Sequence, residues 1–241
     1  MTARRFAEGS VAAGTIAARV RYGADVSNRA APAGRPVPAG REPEVARITS
    51  FLADPTPGAR ALIVEGEPGI GKTTVWRVAL EQARAVGATV LVAQPAEEEL
   101  PATALGLHDL FDGRDVDAAV LADDTDVFDR GRAVLGALRA LASVGRVVVA
   151  VDDLQWLDAL SVRTLRYALR RIADEAVRIV ATRRAGVAGR DLVDADATEV
   201  IVLGALSLDA LRQAVAPVAA TISRPERRPG GGRPATALRA R

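Results

Sequence analysis

The 241-residue chain is 49% hydrophobic and 26% charged, enough apolar sequence for one globular domain with a sizeable core and too much for a wholly disordered polypeptide. Aromatic residues supply only 3%, so the core has to be built from Ala, Val and Leu, which argues against an aromatic-rich β-sandwich and for an α/β class. Cysteine is absent and histidine occurs once, at His108, which excludes disulfides, thiolate catalysis and zinc fingers and disfavours a multi-histidine metal site or a Ser-His-Asp mechanism; the net charge is only +2, and a single base, Lys72, is a lysine.

Residues 1–39 are rich in Arg, Ala, Gly and Pro with little periodicity and read as a flexible leader, although an Arg-rich, acid-poor start also imitates a transit peptide or a nucleic-acid arm. Order is expected from Arg41, where Val45, Ile48 and Leu52 repeat at helical spacing. Residues 61–65 read as a buried strand, 73–86 as a helix and 89–93 as a second strand. Helices are expected over 102–111 and 128–141, separated by an acidic loop at 112–126.

The run Arg146-Val-Val-Val-Ala-Val-Asp-Asp153 has the uninterrupted apolar character of a central parallel strand covered on both faces. Beyond Asp158, Val162, Leu165, Leu169 and Ile172 share one helical face while Arg163, Arg166 and Arg170 fall on another. Strands at 177–182 and 198–202 and a helix at 207–215, with Ser207 or Asp209 near its start, complete the pattern. Alternating strands and helices predict right-handed crossovers and a parallel sheet of about five strands with helices on both faces. The domain is expected over 40–220, and 221–241, broken by Pro and Gly, as disordered or as the remnant of a helical lid. No apolar run approaches the roughly 18 residues of a membrane-spanning helix, and the expected address is cytoplasmic.

Gly66-Glu67-Pro68-Gly69-Ile70-Gly71-Lys72-Thr73 matches G-x-x-x-x-G-K-[ST], after one expected strand and before one expected helix. The glycines permit a tight path that turns several N–H groups toward a phosphate, and the helix that follows adds its positive end. Lys72 would reach the β- and γ-phosphates and the Thr73 hydroxyl would ligate Mg²⁺. In a chain that otherwise uses arginine for positive charge, the one compact ammonium stands where a planar guanidinium would not fit between phosphates.

Asp152, ending a core strand, is the natural Mg²⁺-supporting carboxylate, and Asp153 would orient the attacking water; taken alone, two aspartates there are also what a strand end and a helix cap look like. Thr182, Arg183 and Arg184 stand at the carboxyl end of the next strand, where open α/β sheets bind ligands; Arg183 or Arg184 is available to sense a γ-phosphate, or both are solvated. His108, Trp76 and Trp156 read as core or boundary residues.

Together, Gly40-Arg41-Glu42, the 66–73 loop, Asp152-Asp-Leu-Gln-Trp-Leu-Asp158 and Ala181-Thr-Arg-Arg184 resemble the ATPase domain of signal-transduction ATPases with numerous domains, most of all the large ATP-binding LuxR-type transcriptional regulators of bacteria. The likeness covers residues 40–211. It implies an AAA-related P-loop fold, ATP and Mg²⁺ as ligands, and slow hydrolysis that resets a switch. On this resemblance Gly40 and Arg41 lie near the adenine, and the loop through Thr74 holds the nucleotide. Asp153 would occupy the position of the water-activating acid, and of the two strand-end arginines Arg183 is the one expected to report the γ-phosphate. The family's Gly-Gly-Asn-Pro stretch is matched by Gly231-Gly232-Arg233-Pro234, with Arg in place of Asn, and Pro234 would approach the base. The helix-turn-helix of those regulators has no counterpart here, so DNA binding is not carried over, and protein partners or self-association are the expected contacts. Two other readings stand beside this one: a nucleotide-binding module with negligible hydrolysis, and a DNA- or partner-binding fragment using its Arg-rich ends.

Overall fold

Nine consecutive residues, Gly58–Gly66, form strand β1, whose Leu62, Ile63 and Val64 are each at most 2% exposed. Burial of both faces is what a continuous apolar run demands, and the chain satisfies it by placing β1 inside a five-stranded parallel sheet ordered β2-β3-β4-β1-β5. The other strands are β2 (Thr89–Ala93), β3 (Val147–Val151), β4 (Ala176–Arg184) and β5 (Thr198–Val202). This computed structural model describes residues 37–122, 124–187 and 189–213. Residues 1–36 of the expected leader, residues 214–215 of the expected final helix, the 221–241 segment and Pro234 lie outside the described residues.

Helix α1 (Glu42–Ala53) opens with a Pro in its first turn and two acids, Glu42 and Glu44, that suit the positive helix end. Helix α2 (Lys72–Ala85) follows β1 directly. Leu62 and Val64 of β1, Val148 and Ala150 of β3 and Val180 of β4 pack with Ile48, Phe51, Val75, Trp76, Ala79 and Leu80 of these two helices. The intervening strand residues, among them Ile63, Val149 and Ile179, face the other way. They pack beneath α3 (Leu105–Phe111), α4 (Val127–Val144) and α5 (Ala159–Leu169). The period-two alternation of a strand therefore divides the core into two apolar layers.

Differences from the sequence expectation are local. The helix expected from residue 102 starts at Leu105, because Ala104 adopts a left-handed φ of 60° and its N–H, with that of Gly106, is taken by the Asp158 carboxylate at 3.1 and 3.0 Å. Asp158 also caps its own helix α5 by accepting the Ser161 N–H at 2.8 Å, so one buried carboxylate terminates two helices. The expected acidic loop contains a 3-10 turn at Ala118–Val120, and α4 extends to Val144. Helix α5 ends at Leu169, leaving Ile172 buried just beyond it. A final helical stretch begins at 208, where Ser207 Oγ accepts the Ala210 N–H at 3.2 Å. Among the described residues no helix is long and apolar enough to cross a membrane.

Candidate nucleotide-binding site

The loop between β1 and α2 has its shape forced by three glycines. A Cβ on Gly66 would meet Ile70 Cγ2 at 2.9 Å and the Leu203 carbonyl at 3.2 Å, so only glycine lets the loop fold back over the strand end. Gly69 and Gly71 have φ of 78° and 102°, a region costly to side-chain-bearing residues, and an added Cβ there would meet nothing within 4 Å. Glu67, Pro68 and Gly69 form the exposed crest, and Thr74, exposed, donates its N–H to the Gly71 carbonyl at 3.1 Å. The crest lies ahead of a 14-residue helix whose first-turn N–H groups and dipole favour an anion.

Lys72 is 7% exposed and donates Nζ to the carbonyls of Gly66 and Glu67 at 3.0 and 2.9 Å. No carboxylate takes part in these two bonds. The ammonium is held inside the loop by neutral acceptors, from which phosphate oxygens, being charged, are the stronger competitors.

Thr73 stands on the α2 side of the sheet, and by strand parity so does Asp152, which follows Val148 and Ala150. The Thr73 hydroxyl donates to Asp152 Oδ1 at 3.2 Å, across 79 residues of sequence. Thr182 of β4, wholly buried, donates its hydroxyl to the same oxygen at 2.7 Å and accepts the Asp153 N–H at 2.7 Å. Hard oxygen donors therefore converge at the carboxyl end of the sheet, a set that fits Mg²⁺, an ion that keeps most of its shell for water and phosphate. Asp153 itself adopts φ 54° and ψ 58°, a left-handed conformation that Asp tolerates, and its Oδ1 accepts Gln155 Nε2 at 2.8 Å.

The remaining expected residues are placed as follows. Arg41, 5% exposed, donates to the carbonyls of Ile70 and Gly204 at 3.0 and 2.9 Å and pairs with Glu44 at 3.2 Å, tying the start of α1 to the phosphate-type loop and to the chain beyond β5. Gly40, at φ 74°, passes so close to Ala210 that a Cβ would collide with it. Arg183 alternates with Thr182 and stands on the opposite face, where it pairs with Glu65 and with Asp191, each at 2.8 Å. Arg184 returns to the Thr182 side, and its guanidinium lies 5.1 Å from the centre of the Trp156 ring. Trp76 is core, its Nε1 donating to the Val180 carbonyl at 3.0 Å; His108 is an exposed residue of α3. One site residue stands out only in three dimensions, Gln155, which has no signal of its own; Thr182, expected at the ligand-binding end of its strand, gains its specific contact to Asp152 only in the fold.

Residues 37–180 match the family model described as AAA ATPase domain, more than half of the chain. The chain belongs to the AAA ATPase domain family. Its fold is also seen in solved structures of low sequence identity. It is similar to the Aeropyrum pernix ORC1 protein solved in complex with DNA, at 18% identity and a TM-score of 0.52 over 78% of this chain and 51% of that one. It is equally similar to the Aeropyrum pernix ORC2 protein solved as ADPNP and ADP complexes, at 16% identity and a TM-score of 0.52 over 80% of this chain and 54% of that one. The AAA ATPase domain described here thus spans about half the length of those structures. No curated protein matches its sequence.

Proposed function

We propose that this AAA ATPase domain is an ATP-dependent switch with slow Mg²⁺-dependent hydrolysis, of the kind found in large LuxR-type bacterial regulators and acting in the cytoplasm. The observation that carries the reading is the meeting of Thr73 with Asp152. The hydroxyl after the phosphate-loop lysine and the carboxylate ending β3 form one oxygen pair although they lie 79 residues apart. In this reading residues 66–74 hold the triphosphate, with Lys72 exchanging the Gly66 and Glu67 carbonyls for phosphate oxygens. Thr73 and Asp152 hold Mg²⁺, which when bound neutralises phosphate charge. Asp153 orients the attacking water, and Arg183 reports the γ-phosphate by leaving Glu65. Gly40, Arg41 and Pro234 are assigned to the adenine. Partners of such a switch are other proteins or further copies of the chain, and DNA contact is assigned to neither end.

A second reading, a nucleotide-binding module with negligible turnover, is favoured by one observation: the Asp153 carboxylate already has a partner in Gln155. Calorimetric titration with ATP and ADP, with and without Mg²⁺, followed by a phosphate-release assay, separates the two. The first reading expects Lys72→Ala to weaken ATP by about 10-fold or more. It also expects Asp153→Asn to bind ATP normally while releasing phosphate about 100-fold more slowly. Turnover that Asp153→Asn leaves unchanged removes Asp153 from this role, and negligible phosphate release by the wild type together with normal ATP binding favours the second reading. Failure of the folded protein to bind ATP, ADP, GTP or GDP at millimolar concentration overturns both.

A further inference from the structure

Gln155 holds none of the roles assigned above, yet it is a buried polar side chain, 7% exposed, set between two parts of the site. Its Oε1 accepts the backbone N–H of Arg184 at the end of β4, at 3.3 Å, and its Nε2 donates to Asp153 Oδ1 at 2.8 Å. An amide oxygen only accepts and an amide nitrogen only donates. An N–H on one side and a carboxylate on the other therefore admit a single orientation of this amide. The flipped alternative sets oxygen against carboxylate and NH₂ against N–H.

The second hold on Asp153 comes from the same strand. Its backbone N–H donates to Thr182 Oγ1, which fixes the left-handed turn that aims the side chain, while Gln155 fixes one oxygen of the carboxylate itself. Among the described residues, Asp153 Oδ2 has no hydrogen-bond partner. Strand β4 thus grips Asp153 at the backbone through Thr182 and at the side chain through Gln155. The second grip is anchored to the backbone of Arg184, one residue beyond Arg183.

We propose that Gln155 is a positioning residue that couples the Asp153 carboxylate to the end of β4. The proposal rests on the reading of Asp153 as the group that orients water, and it adds the route by which displacement of the 183–184 segment reaches that carboxylate. Gln155 touches neither nucleotide nor water in this scheme. It sets which oxygen of Asp153 is occupied and which is offered.

A test follows from the difference between shape and hydrogen-bond chemistry. Gln155→Glu preserves shape and still accepts the Arg184 N–H, but turns an acceptor toward a carboxylate. Gln155→His changes shape, yet a neutral imidazole carries one donor and one acceptor and can serve both neighbours. Positioning predicts kcat in the order Gln, His, Ala, Glu. Gln155→Ala should fall by about 10- to 100-fold with the affinity for ATP unchanged, as for other groups that orient a reacting side chain. A packing role predicts instead the order Gln, Glu, His, Ala, with the isosteric Glu tolerated best of the three variants, and that order overturns the proposal.

The contact itself is read without turnover. The Gln155 side-chain NH₂ resonances in a ¹⁵N–¹H correlation spectrum should shift in Asp153→Ala, and their staying in place overturns the proposal whatever the rates are. If they shift but neither wild type nor any variant releases phosphate, the coupling stands and it is the hydrolytic reading that fails.

Discussion

Arg183 and Glu65 lie directly opposite each other where β4 pairs with β1, and the guanidinium donates to Glu65 Oε2 through both Nε and Nη2, at 3.3 and 2.8 Å. Asp191 takes a third donor at 2.8 Å. An arginine so held can report a γ-phosphate only by giving up a carboxylate. The reporter role therefore predicts that the pair opposes ATP binding.

Replacing Glu65→Gln removes the charge and keeps the shape. An ion pair of this partial exposure is worth about 1 kcal/mol, so the preference for a non-hydrolysable ATP analogue over ADP should rise about fivefold, at a small cost in melting temperature. Calorimetric titration of both nucleotides measures the ratio. An unchanged ratio with a lowered melting temperature would assign Arg183 to stability alone.

Two glycines of α4 make opposite predictions for the same substitution. Gly136 is exposed, and an added methyl meets nothing within 4 Å, so Gly136→Ala should stabilise by about 0.5–1 kcal/mol through helix propensity. A Cβ on Gly131 would fall onto the ring of Tyr167, reaching Cγ at 2.8 Å. Overpacking of about 1–3 kcal/mol exceeds the propensity gain there, and Gly131→Ala should lose stability. Urea denaturation midpoints of the two variants should move in opposite directions.

Asp126 caps α4 by accepting the N–H groups of Phe128 and Asp129. The Phe128 N–H is the largest of the influences that hold its carboxyl below the usual 3.8, and those on the Asp129 side add to it. Asp54 and Asp194 are lowered in the same way, by the Thr56 hydroxyl and by Arg170. A lowered carboxylate contributes stability that is fully present above its unfolded value and is lost as pH falls through the folded one. The melting temperature should therefore be insensitive to these groups above about pH 5 and decline below about pH 4. Asp126→Asn, which keeps a capping oxygen and cannot titrate, should melt near wild type at pH 7 and lose less than wild type on acidification.

Much of the fold was legible because it is encoded over short spans. The apolar run 147–151 can be satisfied only by burial on both faces, and it became the wholly buried β3. Gly69 and Gly71 take up the positive φ that the loop pattern requires. The late start of α3 was not legible, because the groups that accept its first N–H groups, Asp158 and Ser161, come from a helix more than fifty residues on. The face on which Arg183 stands was equally hidden, since it depends on where β4 ends relative to β1 and β3.

By itself the sequence determined the phosphate-type loop, the five strands and the helices between them, since each follows from residues that are neighbours along the chain and from the conformations those residues permit. Only the tertiary structure decided that Thr73 and Thr182 share one oxygen of Asp152, that Arg183 is held by Glu65, and that Gln155 joins Asp153 to Arg184. Those relationships arise from strand order and register, which are set by the packing of two apolar layers on one sheet and cannot be read from any single stretch of the chain.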